Sequence, residues 1–317
     1  MSTFPDGVFQ YGGQPVGAVW ASPWSVARFV DGESGNDNNS GLKPTEAYAT
    51  IQAAVTASAR GDVIYVRPQH YTGGTGFSRY TEEVTVTAGA SAGSATHFEN
   101  ADISIIGCVN TPNPEYGVRW KHATDTTGCC LINHAPALHL ENLGFYAESA
   151  LAAIELLNNG ATTTQRGSDG TTIYNCVIKG AAIYVLSGGD GTIIQKCHLH
   201  TAYGGGTGGL GNIHYSCSAN PGTRLKILDN IFYGGNVTEA PATAYITVLP
   251  PMTVMTIGRN FFGKIPTDGH YIDLSGSSNT GLVVNNTFAD ADIVLETDIH
   301  IGGCVQANNW DTAGIVV

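Results

Sequence analysis

Charged side chains are scarce: Asp, Glu, Lys and Arg make up 13% of the 317 residues, about half the usual share. Long amphipathic helices need such residues on their wet face, so a helix-rich fold is excluded. Cations are scarcer still, with 14 Lys and Arg against 26 Asp and Glu, a net charge of −12, and no basic run. That balance argues against a nucleic-acid groove or an anionic membrane surface as partner. No stretch approaches the roughly 18 continuous apolar residues of a membrane span. The opening MSTFPDGVFQYGGQPVGAV lacks the basic and apolar regions of a signal peptide, so synthesis and folding in a cytoplasm are expected. The Asn-x-Ser/Thr sequons at Asn38, Asn236 and Asn285 then carry no glycan information. Seven cysteines occur without paired Cys-x-x-Cys spacing. Reduced, buried thiols are expected, with a disulfide framework or a zinc site as the weaker readings.

What the chain does have is glycine, 41 residues, nearly twice the usual share of about 7%, and a short repeated pattern. An apolar residue, two mostly polar positions, a small residue, any residue and an apolar or aromatic residue recur in LENLGF (140–145), IYNCVI (173–178), IQKCHL (194–199), ILDNIF (227–232), IGRNFF (257–262), VVNNTF (283–288) and VQANNW (305–310). The fourth positions are Leu143, Cys176, Cys197, Asn230, Asn260, Asn286 and Asn308. Spacings of 21 to 33 residues are of solenoid size. Between them lie short strands rich in Ile, Val and Thr, broken by Gly, Asn and Asp, without helical periodicity. Stacking such units in parallel about 4.8 Å apart satisfies every strand's backbone from above and below. Equivalent side chains then form ladders: Phe232, Phe262 and Phe288 as aromatics, Asn230, Asn260, Asn286 and Asn308 as amides, and Cys176 and Cys197 as thiols. A β-sandwich is the alternative that short strands also allow.

Upstream, GDVIYVRP (61–68), EEVTVTAG (82–89) and DISIIGCV (102–109) read as the first rungs. A helix over about 45–60, with Thr45 as N-cap and Ala47, Ile51, Ala54 and Val55 as its apolar stripe, is the expected lid on the open first rung. Residues 28–71 resemble the leading segment of right-handed parallel β-helix proteins of the pectate-lyase-like fold: a strand, an Asp/Asn/Gly loop, an Ala-x-x-Thr-Ile-x-x-Ala helix, then Gly-Asp-x-Ile-Tyr-Val. Gln69 departs from the glycine usual after Val-x-Pro. The opening FPDGVFQYGGQPVGA is similar to tailed-phage proteins that begin Phe-Pro-(Asn/Asp)-Gly-Val and are regarded as virion components. The resemblance implies an all-β, right-handed parallel β-helix with a short N-terminal capping helix. It divides the chain into an extended docking arm (1–27) and a single solenoid domain (28–317).

Enzymes of this fold act on polysaccharides, which requires either a base with Ca²⁺ held by several carboxylates or a carboxylate pair about 6.5–9.5 Å apart on adjacent rungs. Glu141, Asp229 and Asp311 lie near repeat positions but do not recur on consecutive rungs. RLK (224–226) and DGH (268–270) stand in the reverse of the polygalacturonase order, and coincidence is the better reading. His198 and His200 share a strand face without a third ligand in sight, so a solvated pair is favoured over a metal site. Asp31, Glu33 and Asp37 are spaced somewhat like metal ligands but lack the EF-hand order. No catalytic residue, metal or cofactor is therefore assigned. The arm carries Phe4, Val8, Phe9, Tyr11, Trp20 and Trp24, anchors that pack either along their own solenoid or onto a neighbour.

The resemblance implies a non-enzymatic phage structural protein, a decoration protein on the head that docks through its N-terminal arm onto the major capsid protein or another virion protein. By analogy with other phage β-helix proteins, a homotrimer is expected. A tailspike-type lyase or hydrolase acting on host surface glycan is one alternative. The other is a glycan-binding β-helix without turnover, with Tyr203, Tyr233 and Trp310 as its candidate aromatics.

Overall fold

A computed structural model of the chain describes residues 10–11, 14–15, 25–69, 80–87, 101–108, 117–122, 128–146, 152–157, 167–180, 182–186, 189–200, 211–216, 222–233, 244–249, 251–263, 270–275, 278–289, 299–311 and 314. Each turn of the chain lays one strand into each of three sheets, and each strand pairs in parallel with its equivalents one turn before and after. The first sheet has ten strands, from Ala27–Val30 and Val63–Val66 to Val305–Ala307. The second has eight, from Tyr80–Thr81 to Thr287–Phe288, and the third eight, from Val84–Val86 to Ile299–His300. The architecture is a right-handed parallel β-helix. The sandwich alternative fails because the three sheets are parallel throughout; the antiparallel pairing among the described strands is Gln10–Tyr11 with Gln14–Pro15.

Strand alternation sends one row of each sheet into a common core. On the first sheet Ile64, Ile105, Leu140, Ile173, Ile194, Ile227, Ile257 and Val283 lie in register and are fully buried. Facing them are Trp120, Phe145, Ile178, Leu199, Phe232, Phe262 and Phe288 from the second sheet, and Ile154, Ile183, Ile213, Ile246, Ile272 and Ile299 from the third. Each such side chain contributes roughly 1.5–3 kcal/mol of burial. Few long-range charge pairs are needed when the core runs the length of the solenoid.

From the strand His139–Glu141 onward the chain turns between the first and second sheets through a single left-handed residue: Asn142, Asn175, Lys196, Asp229, Arg259, Asn285 and Asn308, with φ between 49° and 57°. Asn and Asp tolerate this conformation, which explains the polar third position of the repeat. The residue after each corner points inward. Asn230, Asn260 and Asn286 stack there, and the next member is Asn309, whose Oδ1 accepts from the Asn286 backbone N–H at 3.0 Å. Asn308, expected in the ladder, instead occupies the left-handed corner and is exposed. The last repeat is thus QANNWD (306–311), one residue later than its spelling suggests, because Val283 pairs with Gln306.

A second left-handed corner leads into the first sheet at Asp102, Ala137, Gly170, Gly191, Arg224 and Val254. Val254 is the odd member, a β-branched residue at φ 58° with a 66% exposed side chain. A left-handed L-residue costs about 1–2 kcal/mol, more when β-branched. Val254→Gly is therefore expected to raise stability by about 0.5–1 kcal/mol, net of the extra chain entropy of glycine, read from the urea midpoint.

The lid is shorter than expected. Pro44–Glu46 forms a single 3₁₀ turn, and the helix runs Ile51–Ala57. Its N-cap is Thr50, not Thr45: the Thr50 hydroxyl accepts from Ala53 N–H at 3.1 Å. The first helical amides, Ile51 and Gln52, donate to the two carboxylate oxygens of Glu82, each at 2.9 Å. A partner 31 residues downstream sets where the helix begins. Ile51, Ala54 and Val55 close the first rung.

Candidate functional site

Asp31 and Asp37 of the leading loop are engaged by nearby backbone amides and side chains. Asp31 accepts from the Glu33 and Ser34 amides, the Ser34 hydroxyl and Arg67. Burial works to raise its pKa, but these donors outweigh burial and leave it below the ordinary value. Asp37 accepts from the Ala49 and Thr50 amides and the Thr50 hydroxyl at 2.8–3.0 Å. Among the described residues no group of three His, Cys, Asp or Glu could hold a metal ion.

The interior ladders are equally architectural. Asn260 Oδ1 accepts from the Asn230 amide and side chain, while its Nδ2 donates to Ile227 O and Asn286 Oδ1, all within 2.9–3.1 Å. The Phe232, Phe262 and Phe288 rings stack at 4.6 and 5.1 Å between centroids, tilted by 9° and 13°. Cys176 and Cys197 are free, fully buried thiols. Desolvation and the neighbouring Cys197 push the Cys176 pKa well up, so Cys176 does not read as a nucleophile.

The outward polar groups engage one another along the first sheet and its corner. His139 Nε2 lies 3.0 Å from Glu141. Arg259 grips both oxygens of Asp229, at 2.7 and 2.8 Å, and Gln195 joins at 2.9 Å. The Arg259 bonds lead in holding the Asp229 carboxyl below its usual range. Lys196 donates to the Tyr174 hydroxyl at 2.8 Å, which raises its pKa and keeps it an ammonium. Arg224 pairs with Asp190 at the other corner. A polar groove of about 670 Å³ opens there between Asp169, Asp190, Ile193, Arg224, Lys226 and Thr256. Lys226 enters the first sheet whereas His270 opens a strand of the third, and Asp268 and Gly269 lie outside the described residues.

His198 and His200 both face outward on the strand whose Leu199 is buried. The His200 ring lies 5.6 Å from Tyr233. Of the arm residues, Phe4, Val8, Phe9, Trp20 and Trp24 lie outside the described residues, as does Tyr203; the Tyr11 backbone lies in the short Gln10–Tyr11 strand.

The feature that repeat reading missed is an exposed apolar band on the last rungs. Ile231, Phe261, Thr287 and Trp310 are in register on the outside of the second sheet. Around the corner Leu282 and Val305 pair on the outside of the first. Phe261 is 41% and Trp310 44% exposed. Among the described residues every exposed large hydrophobic except Val26 and Leu42 lies between Ile231 and Trp310. The signal was present in the doublet Phe261-Phe262: on a pleated strand, adjacent aromatics cannot both face the core.

No family model and no curated protein matches the sequence. Among solved structures the chain resembles a rhamnogalacturonan lyase, with a TM-score of 0.53 and 14% identity over 90% of this chain and 73% of that one. It also resembles an alginate lyase from a Paenibacillus species, with a TM-score of 0.51 and 14% identity over 83% of this chain and 92% of that one. A third likeness is to the Escherichia coli protein YbhC, with a TM-score of 0.53 and 12% identity over 98% and 92%. At such identities the likeness is one of fold: the chain shares a parallel β-helix with these structures.

Proposed function

We propose that this chain is a non-enzymatic structural protein of a tailed-phage virion, a β-helix that decorates the head and packs against the major capsid protein. The observation that carries this reading is the apolar band over the last rungs. Ile231, Phe261, Leu282, Val305 and Trp310 sit on rigid paired strands, close to the exposed last strand of the solenoid. Exposed apolar side chains clustered on neighbouring paired strands suit a permanent protein contact. The Phe-Pro-Asp-Gly-Val opening supplies the link to phage, and the expected homotrimer would use the same band or its rim.

The test is to label purified particles of the encoding phage with antibody against this chain. Head labelling is the expected result; labelling confined to the tail, or particles lacking the chain, would overturn it. On particles, Phe261→Asp with Trp310→Ser should strip the chain from the capsid. In the isolated protein each substitution should move stability by no more than about 1 kcal/mol, since both side chains are partly exposed and lie outside the core.

A second reading is favoured by the aromatic character of Tyr233, Phe261 and Trp310: a glycan-binding or glycan-cleaving β-helix of the tailspike type. The two lyases that share the fold make the cleaving version worth a direct assay. Shortened capsular or O-antigen chains after incubation would establish it in place of the decoration reading. Retention of intact chains would establish binding alone.

A further inference from the structure

A trough runs along the outside of the first sheet. Ile193, Lys226, Thr256, Leu282 and Val305 lie in register one rung apart, in the outward row beside the buried isoleucines. The groove of about 670 Å³ is the first part of this row, walled by the corner that leads into the sheet. Two consecutive corners there are glycines, Gly170 and Gly191, at φ 70° and 71°. A Cβ at either would meet nothing nearer than 3.7 Å, so the missing side chains leave the groove open.

The groove is lined by two carboxylates, Asp169 and Asp190, and two cations, Arg224 and Lys226. Asp190 accepts from the Thr223 amide at 3.0 Å, from the Thr223 hydroxyl and from Arg224. Asp169 accepts from the Asp190 amide at 3.1 Å. Burial works to raise the Asp190 pKa, but its donors outweigh burial and keep it ionised. Arg28, Lys196, Arg224 and Arg259 on this sheet and its corners each hold a partner. The exposed Lys226 ammonium has none among the described residues. Beyond Thr256 the trough turns aliphatic: Val254 is 66%, Leu282 45% and Val305 63% exposed.

We propose that this trough seats an extended peptide segment of the capsid partner, with an Asp or Glu carboxylate of that segment on Lys226 and its aliphatic side chains over Leu282 and Val305. The inference rests on the virion reading and gives the partner's contact a chemistry. From Ile193 to Val305 are four rung steps, about 19 Å, which about six extended residues span. Charge and side-chain type select the occupant. Because the four charges of the groove cancel, a glycan charged on every sugar finds no net field to hold it. The aliphatic end gives a neutral sugar no aromatic face to stack on. A peptide supplies both a carboxylate for the unpaired cation and aliphatic side chains for the far end. Leu282 and Val305 also belong to the apolar band, so segment and band form one continuous contact.

The test treats particles of the encoding phage with a water-soluble carbodiimide, which joins a lysine amine to a touching carboxylate as an amide, and maps the coupled peptides by mass spectrometry. Lys226 is expected to couple to an Asp or Glu of the major capsid protein. Coupling of Lys226 to a second copy of this chain overturns the proposal, as does coupling of other lysines to the capsid without Lys226; both leave the virion reading standing. Particles that lack the chain overturn both. Lys226→Glu should lower the amount of chain retained on particles at least about tenfold, with the urea midpoint as the check on folding. Lys43→Glu, an exposed lysine of the leading loop, should leave retention unchanged. Retention of the Lys226 variant at the wild-type level counts against the proposal. In a final arm the purified chain is acetylated at its lysines with and without capsular or O-antigen polysaccharide. Equal labelling of Lys226 is expected, and protection by the polysaccharide assigns the trough to a glycan instead.

Discussion

Phe262→Ala is expected to destabilise the solenoid by about 3–5 kcal/mol. Its ring is fully buried between Phe232 and Phe288, with Tyr245 and Tyr271 at 6.0 and 6.1 Å. The loss combines transfer energy, a cavity, and aromatic contacts worth about 0.5–1.5 kcal/mol each. The upper part of the range applies because the backbone ladders hold neighbouring rungs about 4.8 Å apart, so the walls of the cavity cannot close. Urea denaturation followed by near-ultraviolet circular dichroism measures it. The adjacent Phe261→Ser is the control, since that ring faces solvent, and should stay within about 1 kcal/mol. A Phe262→Ala loss below about 1 kcal/mol would mean that the stack is incidental to stability.

Asn260→Ala should cost about 3–4 kcal/mol. Four side-chain hydrogen bonds vanish, and the buried Asn230 amide N–H and Ile227 carbonyl are left without the partners that Asn260 supplies. Each orphaned buried group costs about 1–3 kcal/mol. Hydrogen exchange at the Asn230 amide, which loses its acceptor, gives a local readout beside the global midpoint. The same chemistry separates Asn309 from Asn308. Asn309→Ala removes a side chain that accepts from Asn286 N and Nδ2 and donates to Val283 O, whereas Asn308→Ala only places alanine in a left-handed corner, at about 1 kcal/mol. A larger loss at 308 than at 309 would contradict the register.

The fold could be read along the chain because a solenoid writes its periodicity locally. Ile173, Ile194, Ile227 and Ile257 recur at the same place in each repeat, and each stacks on its neighbour. Details that depend on distant partners could not be read in this way. The cap moved from Thr45 to Thr50 because Asp37 captures the Ala49 and Thr50 amides and Glu82 captures the next two. Burial raises the Glu82 pKa even though those amides favour its charged form, a balance that only the packed rung creates. The ladder slipped by one in the last rung because VQANNW keeps the spelling of the repeat one residue early, whereas the true frame, QANNWD, puts Gln306 and Asp311 where the pattern expects apolar residues. The pairing of Val283 with Gln306 decides between them.

The acidic loop of residues 31–39 shows the same division. Its composition suits a metal site as well as a turn, and the three-dimensional partners decide: Arg67, Ser34, Thr50 and backbone amides take the carboxylate oxygens. By itself the sequence determined the parallel solenoid, its inward aromatic and amide ladders and its N-terminal lid, since hydrophobic alternation and repeat length act over a few residues. Only the tertiary structure decided which apolar side chains remain outside, with Phe29 and Tyr65 covered and Phe261 and Trp310 exposed. Alternation places a residue on a face, but whether that face meets water depends on what packs against it in three dimensions.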